Sequence, residues 1–447
     1  MKNHLSVIFL FASVVLCQRN ADAQNPIITD QFTADPSARV FNGRVYVYPS
    51  HDIRAPESFT RKDWFCMEDY HVFSSSNLTV WTDHGVIVSQ DKVDWVNSAS
   101  YSMWAPDCVE RDGKFYFYFP ANVKADHGRG FGIGVAVADN PAGPYTPQPG
   151  PIKDVHGIDP CVFIDNDGQA YLYYSLNKIY AARLKDNMLE LADEPLVMED
   201  LPKKGLIEGP FVFERKGIYY LTYPHVENKT ERLEYATGDN PMGPFAVTGV
   251  IMDELPSGCW TSQHSIIEFN GQWYLFYHDN DLSPKFDKNR SARIDSLFFN
   301  ADGTIRKVSP TFRGVGTTSA SGQIKIDRYS HISQEGVAVD FLDNLNRFKG
   351  WKTTLKGKDA WIQYNAVDFG RTKPKSVQVN ASSAGDGILQ IRLDNANGPI
   401  ISKLKIAKSS GWNVVEGRVS RFLPGIHNLV LVSGSNTPVE VDWIRFK

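Results

Sequence analysis

Apolar and aromatic residues alternate with polar ones over short runs, and Gly, Pro, Asn and Asp separate the runs. A period of two over short lengths is the strand signature. Apolar spacing of 3.6 with capping residues is nearly absent. Five of the runs open alike, on Gly, two residues and Tyr: Gly43-Arg-Val-Tyr46, Gly113-Lys-Phe-Tyr116, Gly168-Gln-Ala-Tyr171, Gly217-Ile-Tyr-Tyr220 and Gly271-Gln-Trp-Tyr274. They are spaced by 70, 55, 49 and 54 residues. A turn glycine before β-branched and aromatic residues predicts a hairpin entering a strand. Repetition at this period predicts a propeller whose blades are small antiparallel sheets, so five repeats predict five blades. Asn140-Pro-Ala-Gly-Pro144-Tyr and Asn240-Pro-Met-Gly-Pro244-Phe read as equivalent turns in two of them.

The repeats place the propeller at residues 24–310. Residues 311–322 are small and polar and read as a linker. Beyond it, over 323–447, short alternating runs such as Ser376-Val-Gln-Val-Asn-Ala381 predict a separate β-sandwich (jelly-roll) domain. The fold class is therefore all-β, a five-bladed β-propeller followed by a β-sandwich. Residues 1–23 stand apart. Lys2, the apolar run Leu5 to Leu16 and Ala21-Asp22-Ala23 read as a signal peptide, so an exported protein, periplasmic or extracellular, is expected. Cys17 raises a lipoprotein anchor, but Leu16 before it is not small, which weighs against one. The apolar run is too short to span a bilayer, and no transmembrane segment is expected elsewhere.

Charge adds an exclusion. Lys and Arg total 47 against 51 Asp and Glu, so the basic footprint of a nucleic-acid binder is missing. The 10 Trp and 19 Tyr suit sugar stacking and a β-rich core alike. Cys66, Cys108, Cys161 and Cys259 form neither a CxxC pair nor a zinc spacing, which leaves disulfides and buried thiols both open.

The chemistry lies just before the repeat glycines. Asp35-Pro36, Pro106-Asp107, Asp159-Pro160, Glu208-Gly-Pro210 and His264 precede them by six to nine residues. The first strand of a propeller blade lines the axis, so these side chains should converge. One Asp-Pro is an ordinary turn signal. Three carboxylates in register with a five-fold repeat are costly to bury together unless they act together. Glycoside hydrolysis needs such a set, with one carboxylate as base or nucleophile and one carboxylic acid.

Further motifs make the likeness specific: Asn25-Pro-Ile-Ile, Trp104-Ala-Pro-Asp107, Gly157-Ile-Asp-Pro160, Ile207-Glu-Gly-Pro-Phe211 and Asn289-Arg-Ser-Ala-Arg293 with Asn300-Ala-Asp-Gly303. In this order they resemble family 43 glycoside hydrolases, which implies a five-bladed propeller and an inverting mechanism. By that resemblance Asp35 is the general base, Glu208 the general acid, and Asp159 the residue that orients the acid and raises its pKa. Arg290, with Arg293 as runner-up, is the arginine reaching towards the substrate and Asp159. Trp104 is a stacking wall, and His51 and Asp52 line the pocket. His264 matches an axial histidine for a central ion or water; no cofactor is required, and calcium held through water is the candidate ion. The expected activity is exo-hydrolysis of plant cell-wall polysaccharide or oligosaccharide containing arabinose or xylose, of α-L-arabinofuranosidase or β-xylosidase type. Endo-arabinanase and β-galactofuranosidase are alternatives within the family, and a non-catalytic sugar-binding protein is the alternative from another class. The insertion from Arg54 to Tyr70, with Trp64 and Phe65, predicts a pocket rim.

The C-terminal part resembles family 6 carbohydrate-binding modules through Trp361-Ile-Gln-Tyr364, Ile391-Arg-Leu-Asp394, Ser410-Gly-Trp412 and Val441-Asp-Trp443. It departs from that family where Lys325 and Asp327 replace calcium-binding glutamates and where Val415 replaces a tryptophan. Trp351 or Phe348 could take that tryptophan's place as a sugar platform.

Overall fold

The computed structural model describes residues 25–326, 329–343 and 351–447. The expected leader in residues 1–23, Asp327 and Phe348 lie outside them. Five antiparallel sheets follow one another along the chain. Blade 1 orders its strands Ala34–Phe41, Arg44–Asp52, Met67–Ser75 and Thr82–Ser89. Blades 2, 3 and 4 are likewise four-stranded and open on Asp107–Arg111, Ile158–Ile164 and Phe211–Arg215. Blade 5 has three strands, Ser265–Phe269, Gln272–Asp279 and Ser291–Leu297. Each opening strand touches the next, and the last touches the first, so the ring closes. Among the described residues helix is confined to three short 3₁₀ turns.

The repeat glycines do the work expected of them. Asn42-Gly43, Asp112-Gly113, Lys216-Gly217 and Asn270-Gly271 all have positive φ at both residues. That is the two-residue hairpin geometry matching the twist of paired strands. The third repeat differs, spending Asp165 to Gln169 on a longer turn.

The aromatic tails fill the gaps between blades. Tyr48, Tyr118, Tyr173, Tyr220, Tyr223 and Tyr277 are fully buried. Tyr48 of blade 1 packs on Phe117 of blade 2, and each buried aromatic of this kind stabilises by roughly 1.5–3 kcal/mol. Their hydroxyls explain the second repeat. Tyr48 donates to Pro141 O at 2.7 Å, and Tyr173 of blade 3 donates to Pro241 O. Each Asn-Pro-x-Gly-Pro turn therefore latches a tyrosine of the preceding blade.

An N-terminal segment completes blade 5. Ile27 N–H donates to Ala292 O and Thr33 N–H to Arg290 O, both at 2.9 Å. Asn25 exchanges side-chain hydrogen bonds with both backbone groups of Ile294, at 3.0 and 2.9 Å. Residues 25–33 thus run beside the outermost strand of the last blade.

Residues 311–322 are not a free linker. Thr311 donates to Asp295 through its amide and its hydroxyl, and Asn25 Nδ2 donates to Thr311 O. Thr318–Ser319 pairs with the second domain, and Ala320 is buried in its core. Small polar residues serve here as caps for buried groups. The second domain is a sandwich of two six-stranded sheets over a core that includes Ile326, Tyr364, Val379 and Leu431. Trp351, expected as a sugar platform, has its ring 5.4 Å from that of Phe312 at the junction of the domains. Lys325 Nζ donates to Asp442 at 3.0 Å, putting an ammonium beside that carboxylate.

If the tyrosine latches hold blades together, Tyr173→Phe should cost about 1 kcal/mol by leaving a buried carbonyl unpaired. The expected reading is a lower denaturation midpoint with unchanged kcat/KM.

Candidate active site

The site begins with a backbone device used three times. Asp35 and Asp159 are the second residues of their strands, each precedes a proline, and both take left-handed φ values of 47° and 54°. Asp tolerates that region better than most residues. In blade 4 the same place before proline belongs to Gly209, with φ 54°. The blade 4 carboxylate, Glu208, therefore projects from one residue earlier. Asp35 and Asp159 are each 5% exposed, whereas Glu208 is only partly buried.

Asp35 is held on every side. Arg290 donates to its two oxygens at 2.7 and 3.2 Å, and Ser50 Oγ donates to Oδ2. Its backbone N–H donates to His278 Nδ1 at 3.0 Å. The other nitrogen of His278 lies 3.0 Å from Thr261 O, so that nitrogen carries the proton and the ring is neutral. Burial, followed by the Arg290 charge, keeps the His278 pKa down at about 3.

Arg290 is itself buried and clamped. Its Nε and NH2 donate to the two oxygens of Asp52 at 2.9 Å each, and its backbone N–H adds a third bond to Asp52 at 2.8 Å. The sequence placed this arginine towards Asp159; its hydrogen bonds go instead to Asp35, Asp52 and Thr261. Arg293, the runner-up, is not in the site. Three residues further along an extended strand it faces the other way. There it pairs with Asp281 at 2.5 Å and lies over Phe312. The same alternation separates His51 from Asp52. His51 Nδ1 meets Asp69 at 2.6 Å and its ring meets His71, on the opposite side from Arg290.

The remaining carboxyls are kept short of counter-charge. Asp159 Oδ2 accepts the Gly209 N–H at 3.1 Å. Desolvation, then the charges of Glu208 and Asp35, push its pKa well above the carboxylate range. Desolvation also comes first for Glu208, followed by the charge and hydrogen bond of Glu231, and its pKa is likewise well raised. Glu231, 1% exposed, is driven by burial up to about 7. Asp107 in blade 2 makes the contrast. Its oxygens accept from Ser37, Arg39, the Cys108 N–H and the Val162 N–H, so it ties three blades together and has no capacity left for chemistry.

Trp104 is partly buried, 4.6 Å from the Phe131 ring and 6.2 Å from Phe65. Phe65, on the predicted rim, lies over the Arg290 guanidinium at 4.8 Å and near Trp260. His264 is 2% exposed. Its Nε2 lies 2.6 Å from Thr222 Oγ1, whose proton goes to Phe211 O, so Nε2 is the donor. Nδ1 is left with a lone pair and no protein partner. Burial, then His278, hold the pKa at about 3, so the ring stays neutral. A buried lone pair of this kind fits a water or one ligand position of a hydrated cation. Cys66, Cys108, Cys161 and Cys259 are buried free thiols.

Glu231, His278 and Thr261 escaped the sequence reading. His278 had one signal, a polar residue closing the apolar tail of the fifth repeat. Glu231 lies at none of the repeat offsets, and nothing in the sequence marks it.

Carboxyl groups held by such different partners within one pocket are what hydrolysis of a glycosidic bond requires, and the chain is a glycoside hydrolase. It belongs to family 43 of the glycosyl hydrolases, whose model matches residues 23–305. The model of the family 6 carbohydrate binding module matches residues 345–447. The chain is 38% identical over 335 residues to xylosidase/arabinosidase 43A of Humicola insolens, spanning 64% of this chain and 99% of that protein. It is 27% identical over 486 residues to an arabinoxylan arabinofuranohydrolase of Paenibacillus polymyxa, covering 94% and 74%. Among solved structures, a family 43 β-xylosidase/α-arabinofuranosidase from a compost metagenome, in complex with xylotriose and in a calcium-free form, is similar at TM-score 0.58 and 38% identity. That match covers 65% of this chain and 98% of the other.

The clamp on Arg290 has a measurable consequence. Asp52→Ala strands a buried guanidinium, and breaking a buried pair from one side costs about 3–5 kcal/mol. Urea denaturation should show that loss, with activity falling as Arg290 no longer fixes Asp35.

Proposed function

We propose that the chain is an inverting exo-glycosidase that releases arabinofuranosyl or xylosyl units from arabinose- and xylose-containing polysaccharides or oligosaccharides. The observation that carries this reading is the unequal treatment of the carboxyls. Asp35 is salt-bridged to Arg290, while Glu208 is held where a proton is favoured. Asp35 then takes a proton from the attacking water. The water oxygen bonds to the anomeric carbon as the bond to the leaving oxygen breaks, and Glu208 delivers its proton to that oxygen. Proton exchange with solvent resets both groups. Asp159, fixed by the Gly209 N–H, orients the segment bearing the acid and adds negative charge that favours its proton. Trp104, Phe65 and Trp260 form an aromatic side to the pocket, which suits one terminal sugar. The relatives named xylosidase/arabinosidase and arabinoxylan arabinofuranohydrolase support these two sugars. The leader-like first 23 residues support export.

Asp35→Asn and Glu208→Gln should each lower kcat on unactivated arabinoxylo-oligosaccharides by about 10²–10⁴-fold, the usual worth of general acid–base catalysis. NMR of the first product should show the inverted anomer. Wild-type turnover in either variant, or a retained anomer, overturns the mechanism.

His264 Nδ1 is the atom that would hold a central calcium ion, the remaining ligands being water, as suits a hard cation offered a single nitrogen. Such an ion would supply positive charge at the axis. Calcium added to chelator-treated protein should raise Tm, and the response should vanish in His264→Leu.

A further inference from the structure

The carboxyl of Glu208 adjoins a second carboxyl, that of Glu231, which opens the strand Glu231–Gly238, and burial followed by the charge of Glu231 pushes the Glu208 pKa up. Glu231 is buried and Glu208 is the more exposed of the two. Glu231 Oε2 accepts the Ser262 N–H at 2.6 Å. Its Oε1 is buried and meets no other protein donor. Two carboxylates in contact repel, so such a pair is stable only with a proton between them. The orphaned Oε1 is where a protonated Glu208 would donate. Asp159, by contrast, spends Oδ2 on the Gly209 backbone and does not hydrogen-bond Glu208.

We propose that Glu231 is the positioning residue that keeps the acid loaded, so that Glu208 and Glu231 form a dyad sharing one proton, with Glu208 facing substrate and Glu231 behind it. This rests on Glu208 being the general acid. The surroundings fit the role. The Glu231 backbone N–H donates to Trp260 O at 3.0 Å, and Ser262 and Thr261 follow directly, Thr261 accepting from Arg290. One short segment thus fixes the far oxygen of the dyad and touches the cation that clamps the base. After Glu208 gives up its proton the pair carries two negative charges, and their repulsion favours return of a proton from solvent, which reloads the acid.

Glu231→Gln tests the idea, since it keeps the shape and removes the charge. The alkaline limb of kcat/KM, where the acid loses its proton, should move down by about one pH unit, a tenfold loss of activity on that limb. The loss in kcat should be at least tenfold larger on natural oligosaccharides than on 2,4-dinitrophenyl glycosides, whose leaving group needs no acid. Glu231→Asp should restore part of the limb. An unmoved limb with equal losses on both substrates would mean that Glu231 only packs, and would overturn the proposal. Glu208→Gln run alongside separates the readings. If Glu208→Gln is insensitive to leaving group while Glu231→Gln is sensitive, Glu231 itself is the acid and the assignment of Glu208 falls. If both are insensitive, the acid lies elsewhere.

Discussion

One buried guanidinium holds this site together. The charge of Arg290 is met by Asp35 and Asp52, with five hydrogen bonds from side chain and backbone to the two carboxylates. A buried ion of this kind is tolerable only if its partners are fixed in place. Ser50, His278 and Thr261 supply that fixing for Asp35 and for the arginine. The other carboxyls gain no such partner. Burial therefore raises the pKa of Asp159, Glu208 and Glu231 with no neighbouring cation clamped to them. The proposed division between base and acid follows from where one cation was placed.

Much of this was legible from the chain. The five glycine-tyrosine openings announced five blades; four of them are two-residue hairpins, which demand positive φ at both positions, supplied cheaply by Asn-Gly and Asp-Gly in three. Asp35, Asp159 and Glu208 were legible because each stands one or two residues before a proline and eight or nine residues before a repeat glycine. What failed did so for physical reasons. The parity of an extended strand sends Arg293 and His51 away from the pocket, and a resemblance of motif does not encode parity. Residues 311–322 looked solvated because Ser, Thr and Gly are common in loops, yet the same small residues cap buried groups. Glu231 and His278 act through partners on other strands, and a pairing across blades leaves no trace at either end.

The two domains use their aromatic residues differently from what composition suggests. Tyr48, Tyr118, Tyr173 and Tyr220 lie between blades as packing with a polar tip, each latched to a backbone carbonyl of another segment. Trp351 is spent on Phe312 at the domain junction, and the Arg293 guanidinium also lies over the Phe312 ring. The sandwich is thereby joined to the last blade through a short stack rather than suspended on a tether.

The segment 25–33 carries a consequence for how the enzyme comes into being. It leads directly into Asp35, and its last backbone bond is to Arg290. Asp35 and the arginine that fixes it are 255 positions apart. They meet only when the beginning of the chain docks against its last blade. Such long-range closure is entropically expensive and forms late. Ring closure and assembly of the Asp35–Arg290 pair are therefore a single event. A partly folded propeller, however many blades it has formed, lacks that pair, and under the proposed mechanism turnover serves as a built-in report that the whole circle is complete.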